Sequence, residues 1–595
     1  MTTIDYVIII GYMLSALGVG LYFSKKASKD TKSYFLGNRS FPWWMIGISM
    51  VATSFASDTP LAITEQVREH GLQRLWWVLM SVMTLIVGIF LFSRLWRRAD
   101  IVTDAQFYEL RYEGRSAAFL RGFRAFFSGV VGNMLTMAWV IYGMSTIFEV
   151  MMPEINRPTA IYICIAVALI YATSSGFYGV VVTDLVQFAI GSVAMIALAC
   201  IAVSSMGGME QILTTVAANP DHGQRTLSIF PVFTPFNMDT ANFLIFILVI
   251  WWGDASGYNM QRMSACRNEK DAVKATIFYA IFQTIRPWIW VVVGLVSIAL
   301  FPSMPEGHPD SHAYPLVMNE FLGPGMRGLL VAAFLAAFMS TIDTHLNWGA
   351  SYMVIDVYQR FIKKEASDKH YMLVTKIIVV LLMLAAALIV PLMNSVSAAW
   401  EFLALLMVGS GMISVVRWFW WRINAYTEIT ALSLGLIIGF ANLLIPNDWS
   451  IFNFPWGDIL FAVKIASFTA IVIPVSLIVT FLTPPVSIEK LEAFYRQVRP
   501  GGAWSGVSQE ARNLPGKALG PRLFIDIIAA MLMCYGLSLA IGYAILMKFG
   551  NAGICLALAV LGAVIVGIWF KKEVRLLESY RQAEASTENH GETRE

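Results

Sequence analysis

The sequence predicts an all-α polytopic membrane protein with about 15 transmembrane helices, and three observations carry that prediction. The 595-residue chain is 57% hydrophobic and 14% charged, where soluble domains carry roughly 25% charge. Apolar stretches near the ~20 residues that a helical span needs recur along its whole length. Its basic residues cluster on alternate loops, as they do in bilayer proteins.

In chain order the expected spans are 5–24, 41–66, 71–93, 124–151, 157–175, 177–206, 240–262, 271–301, 325–355, 371–392, 398–421, 425–446, 457–483, 522–549 and 551–571. The first has no basic region before it and runs into Lys25, Lys26, Lys29 and Lys32, so it reads as a retained span, not a cleavable leader. A turn is expected at 173–177. The linker at 484–521 contains LEAFYRQVRP, which reads as a short amphipathic helix on the membrane surface. The two spans after it look like an appendage, and the tail 572–595 is polar. Five dispersed cysteines show no metal or redox spacing.

With the amino terminus outside, segments 25–40, 94–124, 262–274, 356–370, 417–422, 484–522 and 571–595 face the cytoplasm and hold 33 of the 42 Lys and Arg residues. The outward loops 207–239 and 302–324 hold one, Arg225. This asymmetry predicts a multi-pass protein of the plasma (inner) membrane with a cytoplasmic carboxyl terminus.

Two stretches depart from simple apolarity. Ser49–Thr59 (SMVATSFASDT) and Trp251–Met260 (WWGDASGYNM) place Ser, Thr, Asp, Gly and Asn inside otherwise bilayer-like segments. A membrane helix can loosen midway only where the freed backbone lines a cavity or an ion site. Two such breaks in corresponding halves point to the binding site of a secondary transporter. Ionisable groups at depth cost at least ~2.5–3.5 kcal/mol each, so Asp58, Asp184, Asp254, Arg286, Asp343, His345 and Lys464 each need a reason. On 325–355, Ala337, Ser340, Thr341, Asp343, Thr344 and Asn347 recur at i, i+3, i+4 spacing and share one face. Two hydroxyls and a carboxylate suit a hard cation, which prefers oxygen ligands. The hydroxyls alone would equally serve close helix packing, whereas packing does not need a carboxylate.

The combination of YFLGNRSFPWW at 34–44, VVVTDLVQ at 180–187, QRMSACRNEKDA at 261–272 and AAFLAAFMSTIDT at 332–344 resembles the sodium:solute symporter family. The resemblance runs to about residue 483 and implies a LeuT-type fold of five-plus-five inverted repeats, with one extra helix before and four after. Its expected parts are a leading helix and loop (1–40), repeats at 41–206 and 240–421 flanking the outer loop 207–239, peripheral helices (422–483), the linker (484–521), a carboxyl-terminal pair (522–571) and the tail (572–595). RWFWWRINAYTEIT at 417–430 looks like a subgroup feature.

The resemblance further implies a sodium site between the first and eighth core helices, formed by the carbonyls of Ala52, Phe55 and Ala337 and the hydroxyls of Ser340 and Thr341. A second sodium, or a proton, would be held by Asp184 with Ser340, Asp343 and Thr344, although Asp343 departs from the hydroxyl of well-known members. The solute would lie near the midplane, where the substrate-binding candidates are Ser54, Asp58, Thr59, Trp251, Trp252, Asp254, Gln283 and Arg286. Tryptophan faces suit a ring or polyol, while arginine suits a carboxylate. Arg286 could equally be a structural partner for Asp254 or Asp184. His308 and His312 lack a third spaced ligand, and His345 beside Asp343 could shuttle protons or simply be a bonded interface histidine.

The expected activity is therefore sodium-coupled import of a small polar solute (sugar, amino acid or organic acid), with sodium and the lipid bilayer as the other partners and no nucleic acid. The alternatives are a proton-coupled carrier on the same fold and a solute-sensing membrane protein, the latter disfavoured by the expectation of no output domain after residue 575. No HExxH, GxSxG or credible Ser–His spacing suggests an enzyme.

Overall fold

The computed structural model describes residues 1–27, 35–220, 222–231, 233, 238–249, 251–393, 395–446, 448–451, 454–458 and 461–592. Lys29 and Lys32 of the expected basic run lie outside them. The elements that position the site are α1 (Thr3–Ala27), α2 (Trp43–Thr53), α3 (Asp58–His70), α4 (Trp76–Phe90), α5 (Phe92–Ala99), α6 (Gly114–Phe126), α7 (Asn133–Met151) and α8 (Arg157–Ser205). The second half contributes α9 (Met238–Val249), α10 (Tyr258–Ala265), α11 (Glu269–Ile285), α12 (Pro287–Leu300), α13 (Met326–Ser351), α14 (Asp368–Ile389), α15 (Val396–Leu406), α16 (Ser410–Phe419), α17 (Ala425–Leu444) and α18 (Phe461–Leu482). α19 (Ile488–Val498), α20 (Leu523–Ile545) and α21 (Phe549–Glu592) complete the chain.

Among the described residues, ten helices are long and apolar enough to cross a bilayer, and two bent pairs raise the number to twelve. The expected spans at 5–24, 157–175 and 240–262 appear as shorter apolar helices, so length and apolarity do not establish the count of fifteen. The turn expected at 173–177 is not a break in helical bonding, for α8 runs helical from Arg157 to Ser205. The element is nevertheless not one straight rod. Arg157 donates to Ser145, Gly143 abuts Asp58, and Phe55 reaches Gly191. That short chain of contacts cannot bridge the ~51 Å that 34 residues of straight helix would cover.

The first core span breaks where expected. α2 ends at Thr53, α3 begins at Asp58, and the two axes differ by 55°. Pro60 falls in the first turn of α3, where its missing N–H costs no helical bond, and Asp58 sits at the positive end of that helix. The second break separates α9 from α10 across Trp251–Gly257, with Ala255 held at φ 53°. A third bend, of 46°, lies between α15 and α16. There Gly411 lies against the Trp252 carbonyl, and a Cβ at that position would come within 2.2 Å of that oxygen. α13 is the most enclosed span, with 94% of its most apolar window buried.

The linker at 484–521 packs differently from expectation. α19 buries Leu491, Phe494, Tyr495 and Val498 against protein instead of lipid. Phe494 meets Phe107 and Trp418 and stacks on Trp504, and the Arg111 guanidinium lies against both Phe494 and Trp504. Protein aromatics thus cover the apolar face that a surface helix would give to the membrane. The Ser487 hydroxyl and amide bond Glu113, holding that carboxyl below its ordinary range. Nor are the last two spans an appendage. Tyr535 donates to the Leu79 carbonyl, Trp288 donates to Ser538, and Arg94 pairs with Glu573.

Close approach of α7 to α3 rests on Gly143, where a Cβ would lie 2.7 Å from the Asp58 Cα. Gly143→Ala is expected to cost about 1–3 kcal/mol through overpacking and to lower the melting temperature of the purified protein by several degrees. Gly553→Ala, with open space around its Cβ position, should leave the transition unchanged in the same assay.

Candidate functional site

Breaking the helix between Thr53 and Asp58 releases backbone groups that hydrocarbon cannot satisfy. The Thr341 hydroxyl of α13 lies 3.2 Å from the Thr53 carbonyl and 3.5 Å from the Phe55 carbonyl. Ala52 and Ala337 are both buried, and the Ala52 carbonyl accepts the Phe55 amide at 3.1 Å. Ser340 turns away from this group and donates to Asp184 at 2.5 Å. The structure therefore brings Thr341 and Phe55 together, adds the Thr53 carbonyl to the set, and places Ser340 on the neighbouring carboxylate. These donors are all oxygens, the chemistry a hard monovalent cation accepts.

Asp184 is the centre of a second cluster. It accepts Ser49 and Ser340, each at 2.5 Å, and lies 3.7 Å from Arg262. Arg262 is fully buried and also donates to Ser49 at 3.0 Å, Thr53 at 2.5 Å and Thr344 at 2.7 Å. A guanidinium thus reaches Asp184 and Thr344, two of the residues expected to share a second ion. Asp343 is buried, three positions beyond Ser340 on the same helix. His345 bonds the Asn133 side chain at 2.5 Å, in keeping with an interface histidine. His308 and His312 bond each other at 3.0 Å, and no group of three metal-binding side chains occurs among the described residues.

The eight substrate candidates fall into separate groups. Ser54, Gln283 and Arg286 form one, with Ser54 donating to Gln283 at 3.1 Å and Arg286 donating to Gln283 at 2.8 Å. Arg286 pairs with neither Asp254 nor Asp184. Its guanidinium donates to the Val51 carbonyl at 2.6 Å and the Ser54 carbonyl at 3.0 Å, stacking over Phe55 and Trp290. It neutralises the negative end of α2, where half-helix carbonyls gather. Asp58 and Thr59 lie beyond the break, Asp58 buried against Gly143 with Oδ1 lacking a hydrogen-bond partner among the described residues. The Trp251 carbonyl accepts Thr84 at 2.7 Å, and Trp252 lines two cavities beside Met407 and Gly411. Asp254 belongs to Arg417, at 2.6 Å, and to the Trp418 indole, at 3.0 Å.

Arg262 and Arg417 escape a reading of depth from hydropathy. Each stands at the edge of an apolar stretch, where a basic residue normally marks the cytoplasmic boundary. The available signal was the recurrence of acids inside spans: Asp184 and Asp254 each required a buried cation.

Broken spans gathered around a buried oxygen-lined site, with no catalytic constellation expected from the sequence, define a multi-pass membrane transporter of solutes. Residues 34–439, more than half of the chain, match the model of the sodium:solute symporter family. The chain belongs to that family. It is similar to mouse sodium/myo-inositol cotransporter 2, 24% identical over 74% of this chain and 70% of that one. The sodium/glucose cotransporter of Vibrio parahaemolyticus is 24% identical over 79% of this chain and 90% of its own length. Among solved structures, a substrate-bound outward-open Na+-coupled sialic acid symporter superposes with a TM-score of 0.68 at 22% identity, covering 82% of this chain and 99% of that one. The fold is LeuT-type, and the chain is a sodium-coupled solute transporter, not an enzyme.

Removing one member of a buried ion pair leaves the other unsatisfied, at a cost of about 3–5 kcal/mol. Arg262→Met should therefore lower the melting temperature markedly, and adding Asp184→Asn should recover part of the loss. Melting curves of the two single variants and the double variant, taken without sodium, test that coupling.

Proposed function

We propose that this transporter imports a small polar organic solute together with sodium by alternating access, with its amino terminus outside and its carboxyl terminus in the cytoplasm. The observation that supports this reading most directly is the meeting of the Thr341 hydroxyl with the Thr53 and Phe55 carbonyls at the broken span. Sodium would bind there, with the carbonyls of Ala52, Thr53, Phe55 and Ala337 and the Thr341 hydroxyl as its oxygen ligands, and with Ser340 joining them when its hydroxyl leaves Asp184. By holding α2 to α13, the ion favours closure of the outer path once solute is present, and rocking one bundle against the other releases both inward.

We further propose one sodium per cycle. Arg262 already supplies a positive charge to Asp184 and Thr344, so a second cation there would meet a fixed guanidinium. One sodium is sufficient as a driving force. A potential of 100 mV contributes about 2.3 kcal/mol per charge, and a tenfold gradient contributes about 1.4 kcal/mol. Together they support solute accumulation of roughly 500-fold. The solute would lie near the two breaks, within reach of Ser54, Asp58, Thr59, Trp252 and Gln283, with Trp251, Asp254 and Arg286 shaping the walls through their bonds to protein. A sugar-like solute is favoured by the names of the relatives, and an acidic one by the arginines.

Uptake into proteoliposomes should require an inward sodium gradient and rise with a sodium Hill slope near one. Thr341→Ala removes one ligand and should raise half-saturating sodium about tenfold, equivalent to about 1.4 kcal/mol. Equal uptake in sodium-free buffer driven by a pH gradient would instead establish the proton-coupled carrier. A Hill slope near two that falls to one in Asp343→Asn would restore the second ion.

A further inference from the structure

Arg286 stands at the joint of α11 and α12, where Pro287 opens the second helix with no N–H to place. It is 8% exposed, and among the described residues no carboxylate pairs with it. Its hydrogen-bond acceptors there are all neutral. Nη1 donates to the Val51 carbonyl at 2.6 Å. Nη2 reaches the Ser54 carbonyl at 3.0 Å, the Ser54 hydroxyl at 3.1 Å and Gln283 at 2.8 Å, while Nε has no partner among the described residues. Buried ions are generally paired, so a buried cation held by carbonyls alone needs a reason.

Those carbonyls belong to the last turn of α2 and to the break beyond it, where a half-helix carries about −0.5 charge. The Thr341 hydroxyl meets the carbonyls between and beyond them, at Thr53 and Phe55. The guanidinium and the sodium site proposed above therefore draw on interleaved oxygens of one stretch, Val51–Phe55. Phe55 serves both. Its carbonyl faces Thr341, and its ring, stacked on Trp290, lies 5.5 Å from the Arg286 guanidinium.

Val51–Phe55 covers little more than one helical turn, so two cations bound along it stand within about 10 Å. At that separation, and an effective dielectric of about 20, unit charges repel enough to shift an affinity more than tenfold.

We infer that Arg286 is a tethered substitute for sodium: it holds the carboxyl end of α2 in the empty carrier and opposes the ion when sodium binds. The inference deepens the symport reading above and rests on it. A symporter must close and return after unloading, and closure without a cation would bury the freed carbonyls with their partial charge unanswered. Arg286 answers it from within the protein. The same charge weakens sodium binding, which favours release into a compartment poor in sodium. Arg286 is a positioning residue, acting on the ion through the broken span and through its field.

The test is sodium titration of the purified full-length protein and of Arg286→Gln, Arg286→Met and Arg286→Lys, read by melting temperature. Choline chloride keeps the ionic strength constant. Half-saturating sodium should fall at least tenfold in the two neutral variants, the direction opposite to Thr341→Ala. It should stay within threefold of wild type in Arg286→Lys, which keeps the charge. In choline alone the neutral variants should melt below wild type, and sodium should recover the loss by mass action. A guanidinium that merely braces α2 predicts weaker sodium binding in the neutral variants. That result overturns the inference, as does unchanged half-saturation in them or equal tightening in Arg286→Lys. Neutral variants that stay unfolded with and without sodium also overturn it, because the ion then cannot stand in for the side chain. A wild type no more stable in sodium than in choline would remove the sodium-coupled reading, and this inference with it.

Discussion

Four residues of non-helical backbone between Thr53 and Asp58 set the terms for the surrounding structure. In hydrocarbon, every carbonyl released there must find a partner inside the protein. Arg286 takes Val51 and Ser54, while Thr341 lies against Thr53 and Phe55. These bonds join α2 to α11 and α13 at once. In the proposed mechanism, sodium would take its place among the Thr53, Phe55 and Thr341 oxygens. An ion held there stabilises one arrangement of the helices over another, which is the thermodynamic requirement for coupling.

Charge burial follows the same logic elsewhere. Arg262 answers Asp184, and Arg417 answers Asp254 and Glu428. The second cluster lies beside the unwound stretch Trp251–Gly257, so each break in a core span has a buried arginine beside it. Removal from water makes such pairs costly to assemble and far more costly to split. They fix the helices relative to one another, where apolar contact alone gives little preference inside a lipid-like medium. Beside the Arg417 cluster, Trp96, Phe107 and Trp418 form an aromatic layer, and α19 closes it through Phe494. Strand-like contact between Trp420 and Ala503 ties the same linker to the end of α16.

Pattern and composition were enough for the membrane class, the order of the apolar segments and the first two breaks. Those properties are local: about 20 apolar residues span a bilayer wherever they occur, and Ser, Asp and Gly disrupt such a segment in place. Motif likeness then carried the family, because Asp184, Arg262 and Ser340–Thr344 fall within short contiguous strings. The site residues were legible as a set of polar positions, yet their partners were not. Arg286 looked like a mate for Asp254, although Asp254 was already held by Arg417, 163 positions away.

Chemistry that resides within one turn of helix, such as the hydroxyl pair Ser340 and Thr341 or the helix-loosening residues at 54–57, could be read from the order of amino acids. Pairings across hundreds of residues were decided only when the helices packed. Thr341 is 286 positions from Phe55, and Ser340 is 156 from Asp184. The same holds for α19, whose apolar face suits lipid and protein equally until Phe107, Trp418 and Trp504 come to cover it. A side chain's depth and partner depend on distances through space, which alternation and spacing along the chain do not encode.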